Sequence, residues 1–374
     1  MVTAMENENQ PPVVPSVSPA IITTPNTIPP VAPTPKPAPR RTGWIVYAVI
    51  ATFFLCLSLL ANLALLALLS GTGSSMSFDT ARHRDFEEHY LQGNTDAHNK
   101  IVVIYLNGII SGANDGTVSE EGMVGDLKAQ LDQAAEDKQV KAIVLRVNSP
   151  GGEVVASDAI YKALVQMRDK HHKPIVTSME SVGASGAYYA AMGTSYVMAT
   201  DLTITGSIGV IMQSFTFGGL MDKVGVKSYT FKSGKYKDLL NPMREPTDDE
   251  KEMVNTLIME VYEKFAGIVA KERHINLDKL KTTLADGRIL SGNQALKGKL
   301  IDGLGYFDDA VKKAMELGGV KKAKVVTYRA PFSFRNLFRL FGESKASKIQ
   351  IQVGPTLPKL ETGKLYFLPA YMFR

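Results

Sequence analysis

The sequence has 374 residues, 45% of them apolar and 21% charged, which is enough for one large or two ordinary globular units. This average composition excludes a wholly disordered or fibrous protein. The single cysteine, Cys56, excludes an intramolecular disulfide framework and a cysteine-rich zinc site.

The charge is unevenly distributed along the chain. The formal net charge is +5, but residues 321–374 hold eleven Lys and Arg against two acidic residues, a net charge of +9, which leaves about −4 for residues 1–320. Confinement of the basic residues to the tail argues against a nucleic-acid-binding core. It favours a C-terminal segment that meets a membrane surface or an acidic partner.

The first 69 residues predict a disordered arm followed by a membrane-spanning helix. Residues 1–41 contain eleven of the nineteen prolines, so residues 1–43 are predicted to be a disordered Pro-rich arm. A ligand for a proline-binding partner is the alternative. Residues 44–69 form an almost unbroken apolar run of 26 residues. This run is longer than the ~20 residues that a helix needs to cross a bilayer, and it predicts a transmembrane helix.

Basic residues ahead of this helix predict its orientation. Lys36, Arg40 and Arg41 lie just before the apolar run. By the positive-inside rule the N-terminal arm is cytoplasmic and everything after Leu69 lies across the membrane. We therefore expect a single-pass protein of the inner (cytoplasmic) membrane, with its folded domain on the outer (periplasmic or extracytoplasmic) side. A cleaved signal peptide is the alternative, although its apolar region is typically ~7–15 residues.

Residues 70–99 are predicted to form a stalk, and residues 100–330 alternate between short apolar runs and amphipathic stretches. Strands are predicted at 101–106, 142–147, 175–179, 196–200, 207–212 and 323–328, and helices at 123–135, 153–168, 247–273 and 308–317. Strands that alternate with helices predict β-α-β units and a mainly parallel sheet. At the start of the longest helix, Thr247 and Glu250 form a capping-box pair.

Two turns rich in glycine and serine each follow a predicted strand and open a helix. They are Asn-Ser-Pro-Gly-Gly at 148–152 and Gly-Ala-Ser-Gly-Ala at 183–187. Small residues let a substrate approach the backbone, and helix-starting amides point at developing negative charge. Ser185 is the better nucleophile candidate, whereas Ser149 precedes a proline and is typical of a turn. The alternative is that both turns only permit tight strand-helix connections.

A serine nucleophile needs a base within hydrogen-bond reach. The six histidines, at positions 83, 89, 98, 171, 172 and 274, lie in the predicted stalk or at helix ends and favour surface positions. A desolvated lysine is then the most consistent base, because burial disfavours the ammonium and lowers its pKa. Residues 231–238 carry Lys232, Lys235 and Lys237, and composition does not choose among them.

Five motifs, in this order, resemble those of the signal peptide peptidase A family of membrane-anchored Ser/Lys peptidases, within the wider ClpP/crotonase-like fold. They are Arg-Val-Asn-Ser-Pro-Gly-Gly at 146–152, Ala-Ser-Gly-Ala-Tyr-Tyr at 184–189, Thr-Gly-Ser-Ile-Gly-Val at 205–210, Lys-Ser-Gly-Lys-Tyr-Lys-Asp at 232–238, and Ala-Asp-Gly-Arg at 285–288 with Gly-Lys-Leu-Ile-Asp at 298–302. The resemblance covers about residues 100–318. It implies an α/β fold with a ClpP/crotonase-like β-α-β superhelical core, preceded by one transmembrane helix. The peptidase domain is expected at residues 100–330, followed by a basic apolar C-terminal extension at 331–374.

The resemblance also implies roles for single residues. Ser185 matches the nucleophile, Lys237 the general base, and Ser207 the hydroxyl that orients this lysine. The backbone amides of Gly152 and Gly186 match the oxyanion hole. No cofactor and no metal are implied.

One copy of the domain resembles the short, single-domain form of the family, which implies a homo-oligomeric ring with active sites shared between neighbouring subunits. The implied partners are remnant signal peptides or other membrane-associated peptides and membrane lipid, with no nucleic acid. A subsite preference for apolar or small side chains is also implied.

Two other functions share part of this pattern. A crotonase-type acyl-CoA enzyme has the same fold, but export and a serine at position 185 argue against it. A non-catalytic membrane scaffold would have no use for Ser185, Lys237 and Ser207 together.

The C-terminal extension holds two further features. Residues 332–341 form a basic amphipathic stretch that is expected to lie on a membrane or against a neighbouring subunit. The apolar segment 365–369 is hypothesised to lie in the substrate groove as an internal occupant.

Overall fold

The computed structural model describes residues 42–69, 86–112, 122–330 and 365–368, with side chains given for 43–63 of the first range. Helix α1 (Thr42–Leu69) belongs to a first unit and is described by itself. Its 21-residue stretch Gly43–Leu63 is apolar and wholly exposed, as in a single-pass membrane anchor. Residues 1–41 of the predicted Pro-rich arm, residues 70–85 of the predicted stalk and the amphipathic stretch 332–341 lie outside the described residues. Residues 42 and 43, predicted as the end of the arm, belong to α1 instead.

The second unit is an α/β domain built on one sheet. Its described strands run in the order β1-β9-β2-β3-β4-β5-β8, with β10 beside β3, β6 beside β4, and β7 beside β6. The strands are β1 (Glu87–Gly93), β2 (Lys100–Ile110), β3 (Val140–Glu153), β4 (Ile175–Ala184), β5 (Tyr196–Ala199), β6 (Ile204–Gly206), β7 (Ile289–Ser291), β8 (Gly303–Leu304), β9 (Lys324–Arg329) and β10 (Tyr366–Phe367). All pairs from β9 through β2, β3, β4 and β5 to β8 are parallel, as the alternating sequence pattern predicts.

Helices cover both faces of this sheet. They are α2 (Gly122–Glu136), α3 (Val154–Asp169), α4 (Gly186–Ala191), α5 (Gly218–Lys223), α6 (Asp248–Arg273), α7 (Leu277–Thr283), α8 (Gly292–Lys297) and α9 (Phe307–Leu317). Successive residues of β2 point to opposite faces. Val102 and Ile104 therefore join a core with residues of α2, α3, α4 and α6, while Ile101 and Val103 pack with α9.

The predicted elements at 101–106, 142–147, 175–179, 196–200 and 323–328 are confirmed as strands, and most are longer than predicted. The strand predicted at 207–212 is wrong, because the strand lies at 204–206 instead. Gly206 and Ser207 both have positive φ angles, 75° and 50°, which end the extended backbone there. Part of the predicted stalk also joins the sheet, since β1 pairs antiparallel with β9.

An arginine clamp fixes the chain just after Lys237 to the start of α6. Arg244 donates to Asp238 at 3.0 Å and to both carboxylate oxygens of Glu250 at 2.6 and 2.8 Å. Glu250 is 2% exposed. It also accepts from the Thr247 amide at 2.8 Å, which confirms the predicted capping box. These contacts hold the Lys237 turn next to a helix that packs on the core.

The clamp predicts a loss of stability in acid. Hydrogen bonds from Arg244, and then from the Thr247 amide, lower the pKa of Glu250 to about 2 from an ordinary value of 4.5. The folded pKa lies below the unfolded one, so this stabilisation is fully present above pH 4.5 and is lost as the pH falls toward 2. We expect the urea midpoint of the wild type to fall across this window, and that of Glu250→Gln to fall less steeply. Gln keeps the capping box but does not titrate.

The matched control is Asp249→Asn, an exposed acid-to-amide change one residue earlier on the same helix. Because Arg244 contacts Glu250 and not Asp249, the slope of this variant should differ from that of the wild type less than the slope of Glu250→Gln does. Equal slopes for the wild type and Glu250→Gln would show that the clamp contributes nothing to acid sensitivity.

A second prediction compares one substitution in the core and on the surface. Leu145 is fully buried in β3, whereas Leu202 is 81% exposed. Leu145→Ala should lower the free energy of unfolding by about 2–5 kcal/mol, because it leaves a cavity. Leu202→Ala should change it by less than about 0.5 kcal/mol. Urea unfolding followed by far-UV circular dichroism measures both, and equal losses would contradict the described core.

Candidate active site

Ser185 lies at the sharp turn between β4 and α4. Its φ and ψ angles are 53° and −117°, a region that non-glycine residues rarely adopt. Its amide donates to the Gly206 carbonyl at 2.8 Å, which holds this turn against β6. The hydroxyl is buried and has no hydrogen-bond partner among the described residues. An unpaired buried hydroxyl is costly in a fold, and such a group is typical of a reactive site.

Ser207 lies beside Ser185 because of the register of two parallel strands. Ala184 of β4 pairs with Gly206 of β6, so the residues that follow, Ser185 and Ser207, leave the sheet side by side. Ser207 is 4% exposed, has a φ angle of 50°, and donates its amide to the Arg288 carbonyl at 2.8 Å. The structure therefore brings these two predicted site residues together.

Gly152 and Gly186 also meet at this point. A Cβ on Gly186 would come within 3.1 Å of the Gly152 amide nitrogen and 2.5 Å of the Ser157 hydroxyl. A Cβ on Gly151, whose φ is 105°, would lie 2.6 Å from the Gly186 amide nitrogen. The first turn thus has room only for glycine at these positions, and the amide nitrogens of Gly152 and Gly186 lie close to it.

Ser149 has a structural role. Its buried hydroxyl accepts a hydrogen bond from the Gly151 amide at 3.2 Å. This contact supports the glycine turn from within, as expected of a turn residue.

The three lysines of the predicted loop differ in their contacts. Lys232 forms an ion pair with Asp238, and Lys235 with Asp249. Lys237 is exposed, and among the described residues its ammonium has no ion-pair partner. It does not hydrogen bond to the Ser185 hydroxyl within this chain. The structure therefore leaves the predicted base apart from the predicted nucleophile.

The C-terminal segment 365–368 lies against the first glycine turn. Tyr366 pairs with Glu153, and Phe367 with Gly152, in an antiparallel ladder with β3. On its other side, Tyr366 exchanges two backbone hydrogen bonds with Ile211, at 3.1 and 3.2 Å. A Cβ on Gly151 would clash with the Phe367 carbonyl oxygen, so this oxygen lies next to the Gly152 and Gly186 amides. The segment is thus an extended strand between β3 and Ile211, beside the turn that ends at Gly152.

An aromatic pocket beside this segment was not predicted. The Phe367 ring stacks on Tyr189 at 5.2 Å between centroids and lies 4.8 Å from Phe265. The 184–189 motif contains Tyr189, but no sequence signal joins it to positions 265 and 367. These residues lie on three elements that come together only in the fold.

Of the described histidines, His98, His171, His172 and His274 are exposed, as expected, whereas His89 of β1 is half-buried. His83 lies outside the described residues. Across residues 42–69, 86–112, 122–330 and 365–368, no group of three or more His, Cys, Asp or Glu side chains is arranged to hold a metal ion.

Comparisons with known proteins agree with this geometry. The family model described as Peptidase family S49 matches residues 167–321, and the model described as Clp protease matches residues 113–205. Both matched ranges include Ser185. The chain therefore resembles serine peptidases over the part that holds the site.

Three relatives with similar sequences carry the names of peptidases or proteases. A protein of Enterococcus faecium named "Putative signal peptide peptidase SppA" is 36% identical over 242 residues, which cover 64% of this chain and 68% of the relative. A protein of Synechocystis sp., named as a protease, is 39% identical over 231 residues, or 62% of this chain and 79% of the relative. The chloroplastic serine protease SPPA of Arabidopsis thaliana is 33% identical over 239 residues, or 63% of this chain and 36% of the relative.

The strained, buried serine, the two amides beside it and these similarities have one common explanation: the chain belongs to peptidase family S49 and is a serine-type endopeptidase.

Proposed function

We propose that this peptidase uses a Ser/Lys dyad to hydrolyse remnant signal peptides and other membrane-associated peptides outside the cytoplasm. The observation that carries the proposal is the buried Ser185 hydroxyl, which has no partner among the described residues and lies beside Ser207 and the two glycine amides. In the proposed mechanism, the neutral Lys237 amine takes the Ser185 proton while the hydroxyl oxygen attacks the peptide carbonyl carbon. Ser207 orients the lysine.

The amides of Gly152 and Gly186 stabilise the oxyanion that forms in this attack. Removing one such donor from a serine peptidase typically costs about 2.7–4 kcal/mol of barrier. The lysine then returns its proton to the leaving amine, and the acyl group stays on Ser185. A water molecule, deprotonated by the same lysine, attacks the acyl carbon. The bond from the acyl carbon to the Ser185 oxygen then breaks, the lysine returns the proton to this oxygen, and the second product leaves as a carboxylic acid.

The dyad is proposed to form between copies of the chain in a ring. Lys237 is exposed, and it is free of the carboxylates that hold Lys232 and Lys235. Its segment also exposes large apolar side chains, including Tyr229 at 77% and Phe231 at 96%. Side chains of this kind favour contact with a second copy. Such a contact would take the Lys237 amine out of bulk water.

The anchor supports the choice of substrate. The apolar stretch Gly43–Leu63 is long enough to hold the domain at a membrane, where remnant signal peptides are left. With Lys36, Arg40 and Arg41 on the cytoplasmic side, the active site would work on the outer side of the inner membrane and contact membrane lipid there.

The dyad predicts which substitutions abolish activity. Ser185→Ala and Lys237→Ala should each reduce cleavage of a signal-peptide substrate at least ~1,000-fold while leaving the oligomer intact, because each removes a group that reacts. Lys235→Ala, which removes a surface ion pair two residues away, is the matched control and should retain most activity. Activity of either dyad variant near that of the wild type would overturn the proposal.

Mixed oligomers test whether the sites are shared. A shared site takes Ser185 from one copy and Lys237 from the next. When Ser185→Ala and Lys237→Ala chains are co-expressed in equal amounts, about a quarter of the sites should therefore hold both wild-type residues. Activity near this fraction supports shared sites. No recovery in an intact mixed oligomer would mean that both groups come from one chain.

The C-terminal segment predicts a restraint on activity. Because residues 365–368 pair with Gly152 and Ile211, they fill the position that a substrate would take. A chain ending at residue 364 should therefore hydrolyse a short peptide faster than the full chain, with the gain mainly in a lower KM. A chain ending at residue 368, which keeps the paired segment, is the control. An unchanged rate after truncation at 364 would contradict this role.

A further inference from the structure

The described C-terminal segment shows where a substrate side chain would be selected. Phe367 pairs with Gly152, and its carbonyl oxygen lies next to the Gly152 and Gly186 amides. In a peptidase, the residue whose carbonyl lies at these amides is the one before the bond to be cleaved. Phe367 therefore takes the place of that substrate residue, and the pocket around its ring is the specificity pocket.

We propose that this pocket selects peptides with a phenylalanine-sized aromatic side chain immediately before the cleaved bond, and that Tyr189 and Phe265 set this preference. The inference rests on the proposed function, because it names the substrate class of the same site. It is narrower than a general preference for apolar or small side chains.

The walls of the pocket match an aromatic ring. Phe367 is 1% exposed, so a side chain of its size fills the space completely. Its ring is stacked on Tyr189, with an interplanar angle of 24°, and tilted against Phe265. Tyr189 and Phe265 also meet edge to face at 5.0 Å. Aromatic rings prefer such offset and edge contacts, which neither alanine nor a straight aliphatic chain can reproduce.

The polar atoms around the pocket are already bound to other groups. The Tyr189 hydroxyl donates to Asp158 at 2.7 Å, and the Ser157 hydroxyl donates to the Glu153 carbonyl at 2.8 Å. Asp158 is held in turn by Lys162 and Lys264, both at 2.8 Å. A charged substrate side chain would lose its hydration in this pocket. The polar groups that could replace the lost water, among the described residues, are already bonded to one another. The pocket should therefore reject charged side chains.

Asp158 fixes the orientation of the Tyr189 ring. Burial acts to raise the pKa of Asp158, but hydrogen bonds from Lys162, Lys264 and Tyr189 outweigh it and hold the pKa below its ordinary value. A charged acceptor makes the bond from the Tyr189 hydroxyl a strong one. Because Lys264 is next to Phe265 on α6, the same carboxylate ties both walls of the pocket together. Asp158 is thus a positioning residue for specificity.

The test uses peptides that are identical except at one position. The protein tested is the chain of residues 1–364, in detergent. It is given fluorogenic peptides with Phe, Leu, Ala or Lys before the cleaved bond, and the cleavage products are identified by mass spectrometry. We expect kcat/KM for Phe to exceed that for Ala by at least ~10-fold, with Leu between them and Lys lowest. Equal rates for Phe and Ala overturn the pocket assignment while leaving the peptidase proposal intact.

Binding separates the two proposals further. In the Ser185→Ala form of the same truncated chain, the Phe peptide should bind at least ~10-fold more tightly than the Ala peptide, as measured by fluorescence anisotropy. Tighter binding of the Phe peptide without Ser185-dependent cleavage would support the pocket and overturn the catalytic proposal. Equal binding of the Phe and Ala peptides would overturn the pocket.

Two variants test the named residues. Phe265→Leu should reduce the ratio of kcat/KM for Phe over Leu several-fold, and Tyr189→Phe should reduce the same ratio by releasing the ring from Asp158. Tyr262→Phe is the matched control: it also removes a tyrosine hydroxyl bond, at 2.6 Å to the Ala285 carbonyl, from a residue of α6 that makes no ring contact with Phe367 among the described residues. Should Tyr189→Phe and Tyr262→Phe both leave the ratio unchanged, Asp158 and the Tyr189 hydroxyl have no role in specificity.

Discussion

The parallel pairing of β3, β4 and β6 is the constraint on which the site depends. Ser149 pairs with Gly183, and Ala184 pairs with Gly206, so the polypeptide leaves the sheet at the same edge after β3, β4 and β6. Two of them turn at serines with positive φ, Ser185 and Ser207. A left-handed conformation costs about 1–2 kcal/mol at a non-glycine residue, and it persists only where neighbouring contacts fix it. Here, the Ser185 amide donates a hydrogen bond to the Gly206 carbonyl and the Ser207 amide donates one to the Arg288 carbonyl, and these two bonds fix the turns.

The sequence predicted secondary structure and turns correctly where a local residue pattern determines them. Hydrophobic periodicity predicted the central strands and the helices α2, α3, α6 and α9, but not α5 or α7, and the Thr247–Glu250 pair located the start of α6. The glycine turns and Ser185 were found because small residues at strand ends form a short, recognisable pattern. The choice of Lys237 came only from family resemblance, since three lysines share one segment.

Features that depend on distant parts of the chain could not be predicted in this way. The strand predicted at 207–212 was wrong because this apolar segment resembles a strand, whereas β6 ends at Gly206 and the backbone turns at Gly206 and Ser207. The clamp of Arg244 on Asp238 and Glu250 gives no periodic signal. The pocket of Tyr189, Phe265 and Phe367 joins residues up to 178 positions apart, which only tertiary packing can bring together.

The pairing of residues 365–368 with β3 and Ile211 also affects how the chain behaves in solution. Without this segment, the amide of Val154 and the amide and carbonyl of Ile211 would lose their partners and form open edges beside the Tyr189 and Phe265 rings. Open edges of this kind add strands from other molecules and start aggregation. Strand β10 covers these edges and so protects the chain from such misassembly.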